Sequence, residues 1–175
     1  MLNNKLSRED RLRLSVEEVA FFELKDLARR KKISLIRELN SLLQTTKSHE
    51  IRDGVAKILY CIGDQSSLKS FINAIKSPFS KNHRGYLVLC CEAFDCSAFL
   101  LFFIELVLSE NYYTTSNVML VIKEMKGRFK KNQYEKAIDK LSLFLNNNKN
   151  DEREDIIRDL LDFLVEKQQT FLKNG

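Results

Sequence analysis

The chain contains only six strong helix breakers, five glycines and one proline, in 175 positions. Sheet folds need turn residues at intervals of roughly 8–12 positions, and this chain does not supply them. Helices form best where glycine and proline are absent. With 44% hydrophobic residues, the chain is also long enough to bury a core. The sequence therefore predicts an all-α fold, organised as a single domain over residues 1–175.

Apolar residues recur at helical spacing along most of the chain, and the breaks between these stretches set the predicted helix boundaries. Pro78 ends one helix, and the asparagine-rich segment 146–150 separates the last two. Residues 1–14 are expected to form a frayed leader, and residues 111–115 a loop. The predicted helices span residues 15–31, 34–45, 50–62, 65–76, 83–93, 96–109, 116–126, 131–146 and 151–172.

A helix–turn–helix pattern repeats at an interval of 31 residues. In the segment 51–76, Gly63 ends the first helix and Asp64 caps the second. A shift of 31 positions brings Asp64 onto Asp95, so the turn repeats together with the apolar period. The other pairs in register are Gly54 with Gly85, Ile58 with Leu89, Ser66 with Ser97, Leu68 with Phe99, Phe71 with Phe102, Ile72 with Phe103, and Ile75 with Leu106.

This pattern resembles the short HEAT repeats of the bacterial type. The residues that carry the resemblance are Arg52, Ala56, Leu59, Gly63, Asp64, Leu68 and Ile75. The second copy keeps Asp95 but has Phe94 in place of the glycine and Arg84 displaced by one position. The resemblance, best over residues 51–109, implies a right-handed superhelical stack of antiparallel helix pairs, with about four repeats and eight or nine helices. A non-repetitive helical bundle is the alternative.

Charge is distributed unevenly along the chain. The net charge of +5 mildly favours an anionic partner. Between Gly85 and Ile122, however, there is no lysine or arginine, and four acidic residues give that stretch a charge of −4. Basic clusters lie at residues 29–32 and 123–131, where solvated helix ends are the simpler interpretation and nucleic-acid contacts the alternative.

No motif for nucleotide binding, serine hydrolysis or zinc-dependent hydrolysis occurs, and the two histidines, His49 and His83, fall at predicted loop-to-helix junctions. Asp64 and Asp95 have a sufficient role as turn residues. The four cysteines fit a helical core rather than a zinc site. We therefore expect no enzymatic activity, no cofactor and no metal.

Two further features of the sequence bear on where the protein is located and on whether it spans a membrane. No signal peptide is visible at the start of the sequence, and the cysteines suit a reduced, cytoplasmic setting. The apolar stretch from Tyr86 to Leu108 contains three acidic residues, each costing about 2.5–3.5 kcal/mol near a bilayer centre. We therefore expect no membrane span.

The most informative stretch for function is the predicted helix 96–109, which is apolar on nearly all sides. Three of its residues, Leu101, Ile104 and Leu108, fall outside the stripe that the repeat places in the core. If exposed, they form a patch of the kind that marks a partner site, with acids and tyrosines around it. The candidate partner-binding residues are Glu92, Asp95, Leu101, Ile104, Glu105, Leu108, Glu110, Tyr112 and Tyr113.

The HEAT resemblance implies a binding scaffold, and a few relatives of that type are DNA glycosylases. We predict a protein-binding module, most concretely an immunity or inhibitor protein that neutralises a basic, nuclease-like toxin domain. One alternative is a nucleic-acid-binding protein or a glycosylase-like enzyme. Another is an adaptor or structural subunit, monomeric or a homodimer through residues 96–109.

Overall fold

The computed structural model describes residues 32–127 and 129–173, and in this part of the chain every regular element is helical. The predicted all-α fold is confirmed. The predicted leader 1–14, the helix 15–31 and most of the basic cluster 29–32 lie outside the described residues. The eight α-helices are α1 (Lys32–Thr45), α2 (His49–Ile62), α3 (Leu68–Lys76), α4 (Arg84–Cys90), α5 (Leu100–Ser109), α6 (Tyr112–Lys123), α7 (Lys131–Asn147) and α8 (Glu154–Lys173).

Helix ends depart from the prediction where side chains or short 3₁₀ turns decide them. The helix α6 begins at Tyr112, four residues before the predicted start at residue 116. The side chain of Asn111 accepts a 3.0 Å hydrogen bond from the backbone N–H of Thr114, and so caps the helix one turn early. The predicted loop at 111–115 is therefore wrong. Single 3₁₀ turns occupy Gln65–Ser67, Pro78–Ser80, Cys91–Ala93 and Ser97–Phe99.

The chain divides into two compact units, residues 1–79 and 80–175. In the described part of the first unit, α1 packs on α2 and α3. Gly63 ends α2 in a left-handed conformation (φ 65°), and Asp64 accepts a 2.9 Å hydrogen bond from the N–H of Ser66. The predicted Gly63–Asp64 turn is confirmed. Whether the two units form the single predicted domain stays a prediction.

Arg52 is buried within the first unit, with 1% of its surface exposed. Its guanidinium donates hydrogen bonds to the carbonyl oxygens of Thr46 (2.6 Å) and Phe79 (3.1 Å). Thr46 follows the end of α1, where carbonyls lack partners inside the helix, so a cation there satisfies them and complements the helix dipole. Arg52 thus joins the start of α2 to the end of α1 and to the segment that follows α3.

In the second unit, helices that are separated by one intervening helix along the chain pack side by side. α4 packs on α6, α6 on α8, and α5 on α7, while α5–α6 and α7–α8 pack across between these rows. The helices of this unit therefore form two layers. The core between them is aliphatic and aromatic, and its fully buried members include Leu87, Val88, Leu100, Phe103, Ile104, Val107, Val118, Ile122, Ala137, Leu141, Ile157, Leu160 and Leu164. The HEAT resemblance and the superhelix stay predictions.

Arg153, just before α8, fixes the C-terminal end of α5. Its guanidinium donates to the carbonyl oxygens of Val107 (3.0 Å) and Glu110 (2.6 Å) and pairs with both carboxylate oxygens of Asp151 at 2.8 Å. The ring of Phe144 lies 5.1 Å from the guanidinium carbon. Hydrogen bonding from Arg153 lowers the pKa of Asp151 from 3.8 to about 2.

Candidate protein-binding surface

The apolar residues predicted to form a patch on α5 lie mainly inside the second unit. Ile104 has no exposed surface, and Leu101 and Leu108 are half-buried. The expectation that Ile104 lies on a partner surface is therefore wrong. The physical reason is that α5 packs on both α6 and α7, so two sides of this short helix are covered.

Two of the four acidic residues in the predicted site have basic partners. Glu110 forms an ion pair with Arg84, and the two side chains are only 12% and 19% exposed. Glu105 pairs with Lys140 of α7 at the surface. Half of the acidic residues expected from the sequence are thus neutralised in three dimensions. Glu92 is exposed on the Cys91–Ala93 turn, and among the described residues no ion pair involves it.

Asp95 has a structural role at the turn before α5. Its Oδ1 accepts hydrogen bonds from the N–H of Ser97 (3.1 Å), from the Ser97 hydroxyl (2.5 Å) and from the N–H of Gly127 (3.3 Å). These bonds, that of the Ser97 hydroxyl first, hold the pKa of Asp95 below its usual value. The predicted turn role of Asp95 is confirmed, and the same Asp-x-Ser geometry recurs at Asp64, whose Oδ1 accepts from Ser66.

A cleft of about 540 Å³ lies beside this turn. The first residues of α7 supply its other wall, with Lys130, Asn132 and Gln133 as the polar side chains. Gln133 donates to the carbonyl of Ser97 (3.4 Å) and accepts from the N–H of Lys130 (2.8 Å). Its hydrogen-bonding groups are therefore largely used in joining the α4–α5 turn to the α6–α7 loop.

Exposed apolar side chains of the second unit are grouped on the outward side of α6. Tyr112, Tyr113 and Leu120 are 51%, 58% and 51% exposed, and Ser116 and Met119 between them are half-buried. At about 100° per residue, these five positions lie within roughly one third of the circumference, so they share one side of the helix. We call these five residues the α6 face. It contains Tyr112 and Tyr113 from the predicted site and adds Ser116, Met119 and Leu120.

Met119 and Leu120 were not predicted as site residues. The predicted helix began at residue 116, so Tyr112 and Tyr113 were not placed on the same helix side as these two residues. A usable signal was present in the run Val118–Ile122, which is five consecutive apolar residues. Consecutive residues on a helix point in all directions, so a helix that packs on one side must expose some of them. Leu120 is the one that faces outward.

Tyr113 is seated against α4 at Gly85. A Cβ at position 85 would lie 2.5 Å from Cε1 and 2.6 Å from Cδ1 of the Tyr113 ring, so only glycine allows this contact. Asn117 donates to the carbonyl of Gly85 at 3.0 Å. The start of α4 therefore lies beside the start of α6, and the Cys91–Ala93 turn beyond the end of α4 also contacts α6. The two helices consequently run in the same direction, which directs the Cys91–Ala93 turn toward the later half of α6.

The basic cluster at 123–131 is dispersed. Lys123 lies 5.9 Å from the ring of Phe163, and Lys131 is 3.8 Å from Glu135. Lys126 and Lys130 are exposed, and Arg128 lies outside the described residues. The expected stacking candidates Phe129 and Tyr134 are buried and contact each other edge-to-face at 5.2 Å. They offer no exposed ring for stacking nucleic-acid bases.

The cysteines that the sequence assigned to the core, and the two histidines, have positions that indicate structural roles. Cys90, Cys91 and Cys96 are buried, and burial raises the pKa of the Cys91 thiol well above its usual range. His49 opens α2 and His83 precedes α4, at the predicted junctions. Among residues 32–127 and 129–173, no three His, Cys, Asp or Glu side chains are grouped as a metal site. No helix in that part of the chain is long and apolar enough to cross a bilayer.

No protein family, no curated protein and no solved structure matches this chain with significance.

Proposed function

We propose that this protein is a protein-binding module and that the α6 face contacts its partner. The observation that carries the proposal is the exposure of Tyr112, Tyr113 and Leu120 side by side on one helix. Tyrosine is enriched in binding interfaces because it offers a large, rigid surface with a polar tip at small cost in conformational entropy. Exposed apolar side chains that lie singly need no explanation, but a continuous group indicates a contact surface.

The most concrete form of this function is an immunity or inhibitor protein that covers a basic, nuclease-like toxin domain in the cytoplasm. Residues 80–175 contain 14 basic and 14 acidic residues, so the net charge of +5 resides in residues 1–79. Around the α6 face, the stretch Gly85–Ile122 has no basic residue, and Arg84 is neutralised by Glu110. A cationic partner therefore meets no unneutralised basic residue within that stretch, and the nearest lysines in sequence, Lys123 and Lys126, follow its end.

A capture experiment with the full-length chain as bait tests the proposal. The bait is compared with a Tyr112→Ala/Tyr113→Ala double variant and with Tyr60→Ala, a control that removes a 40% exposed tyrosine from the other unit. We expect wild type and Tyr60→Ala to retain one basic protein stoichiometrically after nuclease treatment, and the double variant to lose it. Equal retention by all three, or recovery that nuclease abolishes, would reject the proposal.

Charge exchange then tests the cationic nature of the partner. Glu92→Lys removes a solvated carboxylate without breaking an ion pair in the described part of the chain, whereas a change at Glu110 also exposes Arg84. We expect Glu92→Lys to weaken the complex about tenfold at low salt, with less effect at high salt because of screening. Asp139→Lys, an equal charge change at an exposed position of α7, is the control and should leave affinity unchanged.

The alternative of nucleic-acid binding is tested by salt. A protein that neutralises several phosphates loses affinity steeply as salt rises. The exposed Lys126 and Lys130 are the described residues that such binding would use. A steep salt dependence that Lys126→Ala and Lys130→Ala reduce would favour this alternative over the α6 face.

A further inference from the structure

We infer that the α6 face takes an amphipathic helix of the partner whose apolar side chains lie on Tyr112 and Tyr113 and whose lysine or arginine lies at the Leu120 end, near Glu92. This inference rests on the proposed function and adds the chemistry and the polarity of the segment that is bound. It follows from the different environments of the two ends of the face.

The tyrosine end is apolar and fixed. The Tyr113 ring lies on the backbone at Gly85, which limits where the ring can move toward α4. Arg84, next to Gly85 in sequence, and Glu110, two residues before Tyr112, pair with each other and have 19% and 12% of their side chains exposed. A charged side chain of a partner would gain little attraction here and would lose hydration, whereas an aliphatic or aromatic side chain gains the burial of two rings.

The Leu120 end carries two exposed carboxylates, Glu92 and Glu124, and the exposed Lys126 follows Glu124 by two residues. Because α4 and α6 run in the same direction, the turn that carries Glu92 is directed toward the later half of α6. Glu124 is exposed immediately after the last residue of α6. Neither carboxylate forms an ion pair within the described residues. Lys123, the one basic side chain of α6, is directed to the ring of Phe163 in α8. A lysine or arginine of the partner is therefore attracted to this end.

The middle of the face admits a helix. Ser116 lies between the tyrosines and Leu120, and its small side chain lets a second backbone approach closely. Tyr113 and Leu120 are seven residues apart, which is about 10 Å along a helix. The matching segment thus carries its apolar anchor and its cation six to eight positions apart on one side of a helix, which is the helix-on-surface mode of recognition.

The test uses a displayed library of random peptides about 16 residues long, enough for four helical turns. The library is selected on the full-length chain and counter-selected on a Tyr113→Ala/Leu120→Ser variant. We expect the enriched peptides to combine apolar residues with lysine or arginine six to eight positions away. For a synthesised winner, Tyr113→Ala should weaken binding about tenfold and Glu92→Gln about fivefold.

A double-mutant cycle identifies the cation. Replacing the peptide's lysine by glutamine should remove the effect of Glu92→Gln, and Asp139→Asn in the protein should change nothing for either peptide. Enrichment of peptides that need Tyr113 and Leu120 but carry no cation, and that bind Glu92→Gln unchanged, would overturn the inference and leave the proposed function standing. Failure to enrich any peptide that depends on Tyr113 or Leu120 would reject both.

Discussion

The ring of Tyr113 lies on the backbone of α4 at Gly85, in space that a methyl group at position 85 would occupy. Tyr113 is nevertheless 58% exposed, so the same ring is supported on one side and open to solvent on the other. A side chain ordered before binding loses less conformational entropy when a partner covers it. The contact between these two residues therefore connects a packing detail of the second unit to the affinity of the α6 face.

Gly85→Ala should displace Tyr113 while the helices stay folded. The clash is with a partly exposed ring that can swing outward, and alanine is the better helix former by about 1 kcal/mol. We expect the free energy of unfolding to change by less than about 1 kcal/mol, with the contacts between residue 85 and the Tyr113 ring lost from NMR spectra. Gly54→Ala is the matched control, since a Cβ there meets nothing within 4 Å. A Tyr113 ring unmoved in Gly85→Ala would contradict this account.

Gly127→Ala should destabilise the second unit. A Cβ at this position would lie 2.6 Å from Oγ of Ser97 and 2.8 Å from Oδ2 of Asp95, and both atoms belong to the hydrogen-bonded turn. Relief of the clash breaks the bonds from the Gly127 N–H, which costs about 1–3 kcal/mol. Chemical denaturation measures the loss. If Gly127→Ala denatures at the same midpoint as wild type, the turn does not restrain this loop.

Arg52→Met should destabilise the first unit by about 2–4 kcal/mol. The substitution keeps much of the side-chain volume but leaves the carbonyls of Thr46 and Phe79 without their donor in a buried site. Arg52→Lys should recover only part of the loss, because a single ammonium lacks the planar fork that reaches two acceptors. Thermal denaturation compares both variants with Lys69→Met, a change of the same type at an exposed position of α3. Equal stability of Arg52→Met and Lys69→Met is the contrary result.

The Asp151–Arg153 pair should make stability fall in acid. The pKa of Asp151 is lowered in the folded state from 3.8 to about 2, so the ionised carboxylate stabilises the fold. Its contribution is complete above about pH 4 and is lost as the pH falls toward 2. Asp151→Asn should therefore lower the free energy of unfolding by about 1–2 kcal/mol at neutral pH, and the difference from wild type should shrink below pH 4.

The measurement for this pair is denaturant unfolding at several pH values between neutrality and pH 2. Asp159→Asn, an exposed position of α8, serves as the control and should follow wild type throughout. A constant difference between Asp151→Asn and wild type over the whole range would show that Asp151 acts by packing alone.

Local chemistry accounts for the parts of the fold that could be predicted. The scarcity of glycine and proline and the apolar period were enough for an all-α fold, and the Gly63–Asp64 and Asp95 turns depend on residues next to each other in sequence. The start of α6 was missed although its signal is also local. Asn111 is an N-cap residue followed by two tyrosines, and tyrosines do not suggest a helix start.

The candidate site was predicted only in part because exposure is not a local property. Ile104 and Leu120 are both apolar residues on helices with apolar residues all round, yet Ile104 is fully buried and Leu120 is half exposed. The difference is that α5 is packed by α6 and α7, while the outward side of α6 faces solvent. In the same way, Glu110 and Glu92 look equivalent in sequence, but only Glu110 is brought to an arginine.

The helical class and the turn chemistry can be predicted from the sequence, because they depend on side chains within a few positions of the backbone they act on. Tertiary structure alone decided which apolar residues became core, which acids were neutralised, and that Tyr113 rests on Gly85, 28 positions away in the chain. These are contacts between elements distant in sequence, and their geometry arises only when the helices pack.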